Sequence, residues 1–170
     1  MILASYDGSA DAQAAIDHAA QLMPGSEVTV LTVWEPFQMA LSRTGGMGMG
    51  MGASYPDTGE IDAASEAAAS AQASEGANRA TAAGLVAKPR IAPREDGIAG
   101  AILAVADELD AEAIVLGTRG LTGLRSMLLG SVSHAVLQEA DRSVVVVPSP
   151  AVAEERRKWA DRRDVATSVA

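Results

Sequence analysis

Ala113-Ile-Val-Leu-Gly-Thr-Arg-Gly120, separated by nine residues from Gly130-Ser131, carries the reading of this chain. The aliphatic run Ala113 to Leu116 has the look of a buried strand, and Gly117 follows it directly. A second glycine stands three residues on, and a third opens the helix-like run Val132 to Ala140 at a serine. Glycine admits positive φ and lets backbone N–H groups come close to a ligand. The first turn of a helix adds N–H groups without intrahelical acceptors and the positive end of the helix dipole, which together favour phosphate. The pattern points to a phosphorylated ligand at the carboxyl end of a strand, with plain helix capping as the alternative role for Gly130-Ser131.

On either side of this stretch, strands and helices alternate. Met1 to Tyr6 reads as a short buried strand, and Ser9 as the cap of a helix from Ala10 to Met23 that Pro24-Gly25 stops. Val28 to Trp34 is a β-branched second strand. Asp57 with Glu60 resembles a capping box for a long alanine-rich helix ending near Gly84. Val86 to Ala92 is a weaker strand, and Pro89 within it cannot donate to a ladder, which puts it at a sheet edge. Ile98 to Leu109 has helical spacing, and Ser143-Val-Val-Val-Val147 is a last strand ended by Pro148. Repeated strand–helix units with apolar strands imply an α/β domain, its parallel sheet covered on both faces. Ligands of such sheets sit outside the strand carboxyl ends, where the winding reverses. Asp7, ending the first strand, would share that crevice with Gly117. A carboxylate there suits ribose hydroxyls, and a cation would screen it from phosphates. The plainer role for Asp7 is a turn residue in Asp7-Gly8-Ser9 that helps cap the first helix.

Composition narrows the partners. The chain has 170 residues, of which 48% are apolar and only 3% aromatic, so one domain with an aliphatic core is expected. A net charge of −9 argues against nucleic acid, which needs clustered Lys and Arg. The absence of cysteine excludes disulfides, thiolate metal sites and cysteine nucleophiles. The start, Met1-Ile-Leu-Ala-Ser-Tyr-Asp7, lacks the basic region of a signal peptide, and no apolar run reaches the length of a membrane span. A soluble, cytoplasmic protein is expected.

Two segments stand apart from the alternation. An insert at about 38–57 contains Gly45-Gly-Met-Gly-Met-Gly-Met-Gly52 and is expected to be a mobile flap. Thioethers at Met47, Met49 and Met51 are soft-metal donors in principle, but no His or Cys accompanies them. The tail, 149–170, carries five basic and four acidic residues and is expected to be a short solvated helix or an unstructured end. Rival motifs fail. Lys88 and Lys158, the only lysines, precede Pro89 and Trp159, so there is no Walker A loop. No glycine cluster follows the first strand, Ser131 and Ser133 lack a Gly-x-Ser-x-Gly context, and His18 and His134 are too few for zinc.

Gly117-x2-Gly120-x9-Gly130-Ser131, together with Ala4-Ser-Tyr-Asp7-Gly8-Ser9, resembles the universal stress proteins, in the subgroup marked by Gly-x2-Gly-x9-Gly-Ser/Thr. The likeness covers residues 1–148. It implies a single Rossmann-like domain of the adenine nucleotide alpha hydrolase type, a five-stranded parallel sheet in the order 3-2-1-4-5 with helices on both faces. It also implies binding of ATP, with Mg2+ or Mn2+. By the same resemblance, Ser5, Tyr6 and Asp7 flank adenine and ribose, with Asp7 the polar contact, and Val33 meets the adenine edge through its backbone. Leu116, Gly117, Arg119 and Gly120 line the ribose and phosphate turn. Gly130, Ser131, Val132 and Ser133 offer backbone N–H and hydroxyl groups to the phosphates.

The function so implied is that of a nucleotide-dependent regulator in the stress response. Slow ATP hydrolysis in the same crevice is the enzymatic alternative, with Arg119 or Arg125 to stabilise charge but no evident base. A nucleotide-independent dimeric interaction module is the other. Four valines without charge or proline at an open sheet edge favour a homodimer through strand 143–147, as the resemblance also implies.

Overall fold

Successive residues of a strand face opposite sides of its sheet, and this chain places aliphatic side chains on both. The computed structural model describes residues 1–43, 58–120 and 129–167. In β1 (Ile2–Ser5), Ile2 and Ala4 turn to one face while Leu3 turns to the other. The first face packs against α1 (Ala10–Leu22) and α3 (Thr58–Ala82), burying Ala12, Ala15, Ile16, Ala19, Ala77 and Ala80. The second packs against α4 (Gly97–Glu108) and α5 (Ser131–Glu139), burying Ile102, Val105, Ala106 and Val136. Two thin aliphatic layers thus replace one thick aromatic core.

The remaining strands are β2 (Glu27–Trp34), β3 (Val86–Pro93), β4 (Ala113–Gly117) and β5 (Ser143–Val147). All pairings are parallel, and the order is β3-β2-β1-β4-β5, as expected. Right-handed crossovers explain why the helices change face. The chain first winds outward from β1 to β3, then returns through α4 to β4 and winds the other way. β3 is an edge, and Pro89 sits there opposite Val30. β5 is the opposite edge, with Val147 its buried end.

One feature departs from expectation, and the tail takes the helical form among the two expected for it, longer than foreseen. Phe37–Arg43 forms a short helix, α2, where the insert was expected to begin as loop. The Phe37 N–H donates to Asp62 Oδ1 at 2.6 Å, which ties its start to α3. The tail forms α6 (Pro150–Thr167), with Ser149 and Val152 buried at its root. Asp57, Arg125 and the Gly45–Gly52 segment with its methionines lie outside the described residues. Among the described residues, no helix is long and apolar enough to cross a membrane, and no group of three His, Cys, Asp or Glu is placed to hold a metal.

Candidate functional site

β1 is the shortest of the central strands, and that shortness makes a crevice. Its pairing with β2 ends at Ser5 opposite Leu31, yet β2 runs on to Trp34. Its pairing with β4 ends at Ala4 opposite Val115, yet β4 runs on to Gly117. Two longer strands therefore stand as walls over the end of β1, at the point where the winding reverses. The resulting cleft, about 640 Å3, is bordered by every one of the twelve residues singled out in the sequence: Ser5, Tyr6, Asp7, Val33, Leu116, Gly117, Arg119, Gly120, Gly130, Ser131, Val132 and Ser133. Ala12, Thr32, Gln72, Ile98 and Thr118 complete its lining.

The turn after β1 is held from three sides. Asp7 Oδ1 accepts the Ser9 N–H at 3.0 Å, the turn role foreseen for it, and Ser9 Oγ caps α1 by accepting the Ala12 N–H at 3.2 Å. From α3, Gln72 Nε2 donates to the Asp7 carbonyl at 2.7 Å. Tyr6 borders the cleft, but its phenol is not available to a base. The ring packs against Gly76, where a Cβ would stand 2.8 Å from it. Its hydroxyl donates to Glu75 at 2.8 Å, and burial, reinforced by Glu75, pushes its pKa up to about 12.

The turn after β4 hangs on Asp11, in the first turn of α1. This buried carboxylate accepts from Thr118 Oγ1 and, at 3.1 Å, from the Arg119 N–H. Burial alone would raise its pKa, but hydrogen bonds from Ser149, Thr118 and Arg119 outweigh that and hold it below the ordinary aspartate value. Asp11 thereby joins the β4 turn, the α1 start and the α6 root in one buried knot. The sequence pattern does not single out Asp11.

The glycines of the motif correct the conformational argument made for them. None of Gly117, Gly120 and Gly130 has positive φ; among the described residues the glycines that do are Gly8, Gly25, Gly84 and Gly97. Space is the reason instead. A Cβ on Gly117 would lie 2.7 Å from the Asp11 backbone carbon, and one on Gly120 would lie 2.5 Å from Asp7 Oδ2. At Gly130 it would stand 3.1 Å from the Thr118 carbonyl. That same carbonyl accepts the Gly130 N–H at 2.7 Å and the Ser133 hydroxyl at 3.0 Å. So the Gly130 N–H and the Ser133 hydroxyl, both expected to face a ligand, are engaged within the protein. The donors that helix geometry leaves at this end are the first-turn N–H groups of Ser131, Val132 and Ser133, with the exposed Ser131 beside them. Beside them, Arg119 borders the cleft with its Nε buried and without a hydrogen-bond partner. A buried unpaired guanidinium nitrogen costs stability until an acceptor reaches it.

The lining thus combines apolar Val33, Ile98 and Leu116 with the α5 N-terminal donors, Arg119 and one carboxylate, Asp7, which lies against Gly120. His18 and His134 are both exposed, and neither borders the cleft.

Comparison with known proteins agrees with this architecture. Universal stress protein MJ0531 of Methanocaldococcus jannaschii is 44% identical over 52 residues, a stretch spanning 31% of this chain and 31% of that relative. Hypothetical protein MJ0577, a solved structure, superposes with a TM-score of 0.67 at 23% identity, covering 86% of this chain and 94% of its own. A universal stress protein family protein of Arabidopsis thaliana, solved with AMP bound, gives a TM-score of 0.58 at 13% identity, covering 88% and 92%. At such identities these two structures speak for the fold. The sequence profile of the Universal stress protein family matches residues 1–148, from the first strand to the end of the last, and this chain belongs to that family.

Proposed function

We propose that the cleft binds an adenine nucleotide, ATP with Mg2+ or Mn2+, and that occupancy makes the protein a nucleotide-dependent regulator in the cytoplasmic stress response. The observation that carries this is the gathering of all twelve residues around one cavity that combines apolar side chains with donors. Its volume of about 640 Å3 lies in the ordinary range for small-molecule sites. The apolar side chains suit a planar base, Asp7 suits ribose hydroxyls, and the α5 N-terminus with Arg119 suits phosphate. Mg2+ commonly needs only one or two carboxylates when nucleotide phosphates supply other ligands, so the lack of an acidic cluster among the described residues is compatible with a cation carried in by the nucleotide. Binding is favoured over turnover because hydrolysis needs a base, and Asp7, the one carboxylate among the described lining residues, already accepts the Ser9 N–H. The β5 edge is the surface through which we expect two copies to pair.

Thermal melting of wild type and Ser131→Asp with and without MgATP tests the proposal. Aspartate at the first helical position suits the dipole, so the unliganded melting temperature should hold or rise slightly. Ligand at 100 times its Kd should raise the wild-type value by about 5–10 °C, and the variant should lose that rise because its charge repels phosphate. No wild-type shift, or equal shifts in both proteins, would overturn the assignment.

A further inference from the structure

Arg119 is held between the cleft and a helix that lies beyond the family match. Its side chain is only 12% exposed, its Nε has no partner, and its Nη2 stands 3.8 Å from Glu155 Oε2 on α6. That separation is too long for a hydrogen bond, and the Glu155 side chain is 61% exposed, so water screens the attraction. The guanidinium is thus weakly engaged on the α6 side, keeps a buried Nε without a partner, and belongs to a residue that borders the cleft. The root of α6 is fixed independently, by the Ser149 bonds to Asp11 and by buried Val152. Beyond that root, Arg119 and Glu155 form a contact between the β4 turn and α6.

We propose that Glu155 competes with ligand phosphate for the Arg119 guanidinium, so that Glu155 sets how strongly the cleft discriminates by phosphate charge and phosphate occupancy releases the Glu155 turn of α6. This rests on the nucleotide reading of the cleft and adds to it the residue that tunes it and the surface that responds. A phosphate forms charge-assisted, bidentate bonds with a guanidinium, whereas Glu155 offers a long, solvated contact. The ligand therefore wins, at a small cost set by the contact it displaces. Coupling of this kind is reciprocal: what weakens phosphate through Glu155 must weaken the Glu155 contact when phosphate is bound.

Calorimetric titration of the full chain with MgATP, AMP and adenosine, for wild type and Glu155→Gln, reads the first half. Glu155→Gln should tighten MgATP about two- to fivefold, in line with the worth of an exposed ion pair, tighten AMP less and leave adenosine unchanged. With Arg119→Ala in the background, Glu155→Gln should have no effect on any of the three. Amide exchange reads the second half: residues 153–157 should exchange faster with MgATP in wild type, and at one rate with or without it in Glu155→Gln. Equal tightening of all three ligands, or unchanged MgATP affinity with binding intact, overturns the competition while the nucleotide reading stands. Absence of binding by both proteins overturns the nucleotide reading and the competition with it.

Discussion

The turn after β1 and the turn after β4 border the same cleft, yet their glycines are there for different reasons. Gly8 has a φ of +77°, a conformation that L side chains enter only at a cost, and its nearest obstacle is the flexible Gln72 amide. Gly117 has an ordinary φ, but a side chain there would meet the backbone of α1 at Asp11. One glycine supplies conformation and the other supplies room for a helix to approach a strand. Written in one-letter code the two are indistinguishable, and the difference decides what a substitution does.

Four substitutions test that contrast. Gly117→Val should have the largest effect, a loss near the top of the about 1–3 kcal/mol range for overpacking, because backbone cannot rotate away. Urea titration would measure it, and a loss well under 1 kcal/mol would mean that α1 slides freely and that space is not the constraint.

Asp11→Asn probes the knot that ties the two turns together. The amide keeps the shape but offers poorer acceptors to Thr118 and Arg119, so about 2 kcal/mol should be lost near neutral pH. The folded-state pKa of Asp11 lies below its unfolded value. Its contribution is therefore complete above the unfolded pKa, about 3.9, and is lost as pH falls through the depressed folded value. Wild-type and variant stabilities should converge as the pH drops into that acid window. A gap that stayed constant from pH 7 to below pH 3 would show that the charge of Asp11 is not what stabilises the knot.

The smallest effects come from Gly8→Ala and Gly120→Ala, and their order is the sharpest check. Gly8→Ala should cost about 1 kcal/mol through its positive φ. Gly120→Ala should cost less than about 0.5 kcal/mol, because the obstacle is the end of the Asp7 side chain, which can move. In nucleotide affinity the order should invert, since Gly120→Ala displaces the carboxylate proposed to face the ribose. Melting and titration of the pair would reveal either order.

Much of this is legible in the sequence. Runs such as Ala113–Leu116 and Val28–Trp34 announce buried strands by composition, and helices between them force a parallel, doubly covered sheet. Pro89 declared its own strand an edge because it lacks the N–H an inner strand needs. The residues that were missed fall into two kinds. Thr118 lies inside the glycine motif at a position the spacing leaves open, so nothing distinguished it. Gln72 belongs to a visible signal: with Glu75 and Arg79 it forms a polar row on an otherwise alanine-rich helix. Those three side chains bond the Asp7 carbonyl, Tyr6 and Asp17 respectively. Such a row at spacings of three and four marks a face pinned to other polar groups.

The sequence by itself determined the order of strands and helices and the two-faced aliphatic core, while its resemblance to the universal stress proteins named the residues expected around the carboxyl ends of the strands. The order and the core follow from periods of two and 3.6 residues, which are local and survive without a partner. Tertiary structure alone decided why the motif glycines are glycines, which donors remain for a ligand, and where the tail meets the site. Asp11 and Thr118 are 107 residues apart in the chain, and Tyr6 and Glu75 are 69 apart. Contacts across such separations leave no periodic trace, because each depends on which surfaces the sheet happens to bring together.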